Sequence, residues 1–77
     1  MAKVLISGYY GFKNLGDEAI LSVLVTHLKE VGADITVLSS DTDYTAKKYS
    51  VNSVRSFDMV NVLKEIQNTD VLISGGG

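Results

Sequence analysis

Short apolar runs alternate with stretches whose apolar residues recur at helical spacing, the pattern of βαβ units around a parallel sheet. Val4-Leu5-Ile6 is a continuous apolar run, which predicts a strand over Lys3 to Ser7 covered on both faces and ended by Gly8. A helix is predicted from about Leu15 to Val31. Ile20, Leu24, Leu28 and Val31 share one stripe, Val23 lies beside it, and Gly32 is the residue that closes the helix in the left-handed conformation. Ile35, Val37 and Leu38 mark a second strand over Asp34 to Ser39. After the polar break Ser40-Asp41-Thr42-Asp43, Asp41 can cap a short helix over Tyr44 to Lys48. A weak third strand spans Val51 to Arg55. A helix over Asp58 to Gln67 carries Met59, Val62, Leu63 and Ile66 as its core stripe, and a fourth strand spans Val71 to Ser74.

Right-handed crossovers then give the sheet order 3-2-1-4, with strands 1 and 4 as neighbours. The fold class is therefore α/β, a Rossmann-like doubly wound parallel sheet. In such sheets ligands bind beyond the carboxyl ends of the strands, where the winding reverses. That point lies between strands 1 and 4, so the loop from Gly8 to Asp17 is expected to meet Gly75, Gly76 and Gly77 at one crevice. No helix follows strand 4 to cover it, so the chain reads as an incomplete sheet, with residues 1–77 forming the N-terminal part of one domain.

The loop Gly8-Tyr9-Tyr10-Gly11-Phe12-Lys13-Asn14-Leu15-Gly16-Asp17-Glu18 follows a strand and opens a helix, the place where phosphate loops occur. Its glycines, at 8, 11 and 16, do not make a dinucleotide fingerprint, and Gly16 is followed by Asp17 rather than by Lys-Ser/Thr. A helix N-terminus attracts anions, but here it carries two acids of its own. A phosphate held there would meet repulsion of several kcal/mol at short range. The loop suits hydroxyls, those of a sugar for example, and a carboxylate beside a sugar hydroxyl can act as a general base. The plainer alternative stays open: Asn14 as N-cap, Asp17 and Glu18 as favourable partners of the helix dipole, and the glycines as turn and packing residues. Tyr9, Tyr10 and Phe12 can stack on a sugar or cover an interface. Ser74 and its three following glycines can admit a ligand close to the backbone or simply form a turn.

Composition narrows the function classes. The net charge is -2 and the basic residues are scattered, which argues against a general grip on nucleic acid. There is no cysteine, which removes disulfides, thiolate zinc sites and a cysteine nucleophile, and no set of residues has metal-ligand spacing. With no apolar run long enough for a signal peptide or a membrane span, a cytoplasmic location is predicted. His27, the only histidine, reads as a partly exposed helix residue, and Asp41 and Asp43 as turn and cap residues rather than ribose ligands.

Taken together, Gly8-Tyr9-Tyr10-Gly11-Phe12-Lys13-Asn14-Leu15-Gly16-Asp17-Glu18-Ala19 and Val71-Leu72-Ile73-Ser74-Gly75-Gly76-Gly77 resemble the polysaccharide pyruvyl transferase family, closest to the bacterial members acting on the secondary cell-wall polysaccharide. The resemblance implies the N-terminal part of a GT-B-like two-domain enzyme. It implies phosphoenolpyruvate as donor, no cofactor or metal, and transfer of pyruvate as a ketal to a lipid-linked or polysaccharide sugar, often an N-acetylmannosamine. It is compatible with work at the inner face of the membrane and with a homo-oligomer. It places Asp17 and Glu18 as catalytic candidates, and Gly8, Tyr10, Gly11, Asn14, Gly16, Gly75, Gly76 and Gly77 as substrate-binding candidates. The donor's carboxylate and phosphate call for arginine or lysine clamps. Arg55 is the only arginine and falls on strand 3, so the donor site is expected outside these residues. Two other readings compete: a GT-B glycosyltransferase using a nucleotide sugar, and a non-catalytic α/β binding module.

Overall fold

The computed structural model describes residues 2–10 and 15–74, except the side chains of residues 9, 10, 15 and 17. Four strands and three helices alternate along the chain: β1 (Lys3–Tyr10), α1 (Leu15–Glu30), β2 (Asp34–Ser39), α2 (Thr42–Tyr49), β3 (Asn52–Arg55), α3 (Met59–Gln67) and β4 (Val71–Ser74). All pairings are parallel, and the sheet order is β3-β2-β1-β4 as the alternation predicts. This arrangement is compatible with a Rossmann-like fold.

The alternation of side chains along β1 divides the core into two layers. Val4 and Ile6 join Ile35, Val37, Leu21, Val25 and Tyr49 on one face, under α1 and α2. Leu5 points the other way and packs with Leu38, Val62 and Val54 under α3. The switch of faces follows from chain direction. The path β1-β2-β3 moves one way across the sheet, whereas β3 to β4 returns past β1. Crossovers of one hand therefore put α3 on the opposite face from α1 and α2.

Local chemistry explains the element ends. Gly32 sits at φ 75 beyond α1. Its amide donates to the Lys29 carbonyl (3.1 Å) and the Ala33 amide to the Leu28 carbonyl (3.0 Å), the paired bonds of a Schellman closure. Asp41 caps α2 through Oδ1, which accepts from the Tyr44 amide at 3.1 Å. Asp58 caps α3 in the same way, accepting from the Asn61 amide.

Four expectations need correction. β1 does not end at Gly8. It runs on to Tyr10, because β2 offers Ser39 as a partner after a register shift beyond Ile6. The inward face of α1 is Glu18, Leu21 and Val25, with Leu24 and Leu28 packing at its margin, whereas Ile20, Val23 and Val31 are exposed. Counting apolar residues alone displaced the stripe, since its first member is an acid. The short helix α2 runs from Thr42 to Tyr49, starting two residues before the expected span and ending one residue after it. Finally, of the apolar stripe on α3 only Val62 is buried. Met59, Leu63 and Ile66 are exposed, because α3 rests on a small cluster rather than across the sheet. Leu72 on the edge strand β4 is also 56% exposed.

Candidate active site

The register between β1 and the edge strand β4 brings the ends of these two strands to one edge of the sheet. Ser7 lies opposite Ser74, so Gly8 follows β1 at the level where β4 ends. This is the carboxyl edge of the sheet at the point where the order reverses, the geometry that opens a ligand crevice in doubly wound sheets. Gly8 is half-buried there and Gly16 is exposed in the first turn of α1. Tyr10 ends β1 beside β2, and Asp17 follows Gly16 in the helix. Gly11, Asn14, Gly75, Gly76 and Gly77 lie outside the described residues.

Of the two acids, Glu18 has a defined environment. It is 5% exposed and lies on the inward face of α1. The Tyr49 hydroxyl donates to Glu18 Oε1 at 2.8 Å, with the Glu18 carbonyl oxygen a second acceptor at 3.2 Å. Tyr49 is the last residue of α2 and is itself 8% exposed. Burial, reinforced by the bond to Glu18 and its charge, pushes the Tyr49 phenol from 10.0 up to about 12, against an opposing pull from Lys48.

Because the folded state holds this proton more tightly than the unfolded chain, the associated stability is complete below pH 10. It is lost as the pH rises towards 12. Its size is on the order of 1–2 kcal/mol after allowance for solvent screening. In a spectrophotometric titration one of the four tyrosines should ionise near pH 12, and Tyr49→Phe should remove that late step. Four normal tyrosines in the wild-type chain would contradict the buried bond.

A second polar cluster anchors α2 to the carboxyl end of β2. Ser39 and Thr45 are both fully buried, and their hydroxyls lie 2.7 Å apart. Ser39 Oγ also accepts from the Asp41 amide (3.0 Å) and donates to the Asp41 carbonyl (3.1 Å). Asp41 is thus occupied as a cap and turn residue, as expected of it, and Asp43 is exposed in the first turn of α2. His27 is exposed, with Nδ1 3.9 Å from a Glu30 carboxylate oxygen. Arg55 ends β3, two strands from β1 and exposed, which is about 10 Å away at the usual strand spacing.

Concavities exist at the opposite end of the sheet. One of about 310 Å³ is lined by Lys29, Asp34, Ser50 and Asn52, and another of about 340 Å³ by Lys3, Asn52 and Glu65. They lie at the amino ends of β2 and β3, where the strands offer no reversal of winding, so the carboxyl edge remains the better candidate. Among the described residues no helix is long and apolar enough to cross a membrane.

The sequence reading missed Tyr49, Ser39 and Thr45. A faint signal was present: Thr45 and Tyr49 are four apart, the spacing that puts both on one helical face.

The model of the family described as polysaccharide pyruvyl transferase matches residues 14–77, which takes in both Asn14-Leu15-Gly16-Asp17-Glu18 and the terminal glycines. The chain belongs to the polysaccharide pyruvyl transferase family. No curated protein and no solved structure gives a significant match. The family match begins at Asn14, three residues before Asp17 in sequence.

Proposed function

We propose that the protein carrying this sequence transfers pyruvate from phosphoenolpyruvate to a cell-wall polysaccharide sugar, closing a ketal on two of its hydroxyls. The observation that carries this reading is the family match over residues 14–77, which runs from the acidic sequence Asn14-Leu15-Gly16-Asp17-Glu18 to the glycines that follow β4, the strand paired with β1. The acids at the start of α1 suit hydroxyls better than phosphate, so this edge forms the acceptor side. The donor clamp is supplied outside residues 1–77, in the facing domain of a GT-B-like enzyme. The acceptor is lipid-linked, and the reaction takes place in the cytoplasm at the inner face of the membrane.

The steps balance without a redox partner. A general acid outside these residues protonates the methylene carbon of the enol phosphate, and an oxocarbenium-like centre forms at the neighbouring carbon. One acceptor hydroxyl attacks that centre and gives up its proton. The second hydroxyl then attacks as the carbon–oxygen bond to phosphate breaks and its proton passes to the departing phosphate, so the products are the ketal and inorganic phosphate. Asp17 orients one hydroxyl and takes its proton. Glu18, buried and engaged by Tyr49, is less suited to meet a substrate, which leaves that part to its neighbour.

Phosphate release by the full-length protein, incubated with phosphoenolpyruvate and a lipid-linked acceptor containing N-acetylmannosamine, tests the reading. Release should require both substrates. Nucleotide release from a sugar nucleotide, with none of phosphate, would replace it by the glycosyltransferase reading.

A further inference from the structure

We infer that Tyr49 is a positioning residue for the acceptor loop, acting through Glu18 on the first turn of α1. The inference rests on the pyruvyl transfer reading for its substrate, and on geometry for the device itself. One hydroxyl, reached from a residue 31 positions away in sequence, engages both the side chain and the backbone carbonyl of Glu18. The first turn of a helix is where backbone bonds are missing and fraying begins. A bond to both parts of Glu18 holds that turn in place, and with it Gly16 and Asp17.

Tyr49 is in turn held from its own side. The Lys29 ammonium donates to the Tyr49 carbonyl at 2.7 Å, and Lys48 stands 5.4 Å from the ring centre. Ser50, next along the chain, closes α2 in the left-handed conformation at φ 54, so Tyr49 keeps helical geometry to its last atom. At its other end α2 is tied to the carboxyl end of β2 through Thr45 and Ser39. A continuous path therefore runs from the strand end through α2 to the acidic turn. A leucine at position 18 would fill the inward face without the desolvation that a carboxylate incurs. What the pair of Glu18 and Tyr49 adds to packing is a directed contact.

The decisive comparison is between Tyr49→Phe and Glu18→Gln in the full-length protein. Tyr49→Phe keeps the ring and loses the bond. It should lower kcat/KM for the acceptor by about tenfold while the KM for phosphoenolpyruvate stays within about twofold. Glu18→Gln keeps an oxygen for the hydroxyl and should lose no more than about threefold. A general loss of structure would instead affect both substrates alike. Amide hydrogen exchange gives a readout independent of turnover. In Tyr49→Phe the amides of residues 19–22 should exchange on the order of tenfold faster, since their partners are the carbonyls of the first turn. Acceptor kinetics and exchange both at wild-type values in Tyr49→Phe would overturn the inference. So would a loss of about a hundredfold or more in kcat for Glu18→Gln alone, which would make Glu18 the base itself. If the wild-type protein uses a sugar nucleotide instead, the functional reading fails, and the exchange rates still decide the role of Tyr49.

Discussion

Asp17→Asn in the full-length protein is expected to lower kcat by about 10²–10³-fold, the range for removing a positioned general base. Asparagine has almost the same shape and still accepts a hydrogen bond, so it can orient an acceptor hydroxyl but cannot take its proton. The loss should therefore fall mainly on kcat, and the KM for the acceptor should change little. The KM for phosphoenolpyruvate should hold, because the donor is bound elsewhere in the proposed scheme. Steady-state phosphate release with each substrate varied in turn separates these quantities. A kcat within about twofold of wild type would remove Asp17 from the chemistry and leave only its effect on the helix dipole, which is worth under about 1 kcal/mol.

The largest expected effect on stability belongs to Leu5→Ala. Leu5 is fully buried on the central strand, with Thr36 of β2 and Leu72 of β4 in register on either side. Among the described residues it is the one that β1 contributes to the cluster beneath α3, whose other buried members are Leu38 and Val62. A cluster so small has no spare contacts to close the gap. The substitution should cost roughly 3 kcal/mol, within the usual span for a buried leucine. For a unit of this size each kcal/mol moves the melting midpoint by about 4–8 °C, so the shift should exceed about 10 °C. Leu63→Ala is the natural comparison, because Leu63 is on the same helix but exposed. It should change stability by less than about 0.5 kcal/mol. Denaturant unfolding of both variants measures the difference. Equal costs would mean that α3 packs through its whole apolar stripe and that the small cluster is not what holds it.

The contrast between these residues shows how far pattern reading goes in this chain. Leu63 and Val62 are neighbours on an apolar stripe, and hydropathy gives no reason to separate them. Their different burial comes from where α3 lands on the sheet. Position 18 is the reverse case, an acid at a place that apolar periodicity passes over. The stripe chosen from Ile20, Leu24, Leu28 and Val31 was displaced because the true inward face begins with a carboxylate.

The elements themselves were determined locally. Continuous apolar runs produce buried strands, and 3.6-residue spacing produces helices. Gly32 and Asp41 close and cap them through bonds to residues a few positions away. The sheet order also follows from sequence, since strands separated by helices must cross over with one hand. That rule makes the first and fourth strands neighbours, and the structure adds the register that sets Ser7 opposite Ser74. The motif that belongs to the family was likewise legible, as adjacent residues read in order. Other features needed the tertiary structure, because each depends on partners distant in sequence. Tyr10 belongs to β1 because Ser39 is there to pair with it, and Ser39 meets Thr45 only once α2 folds back over the end of β2. Glu18 can be buried because Tyr49 arrives from the next crossover to satisfy it. A carboxylate and a phenol 31 residues apart carry no shared periodicity, so their contact is decided by how the helices pack on the sheet.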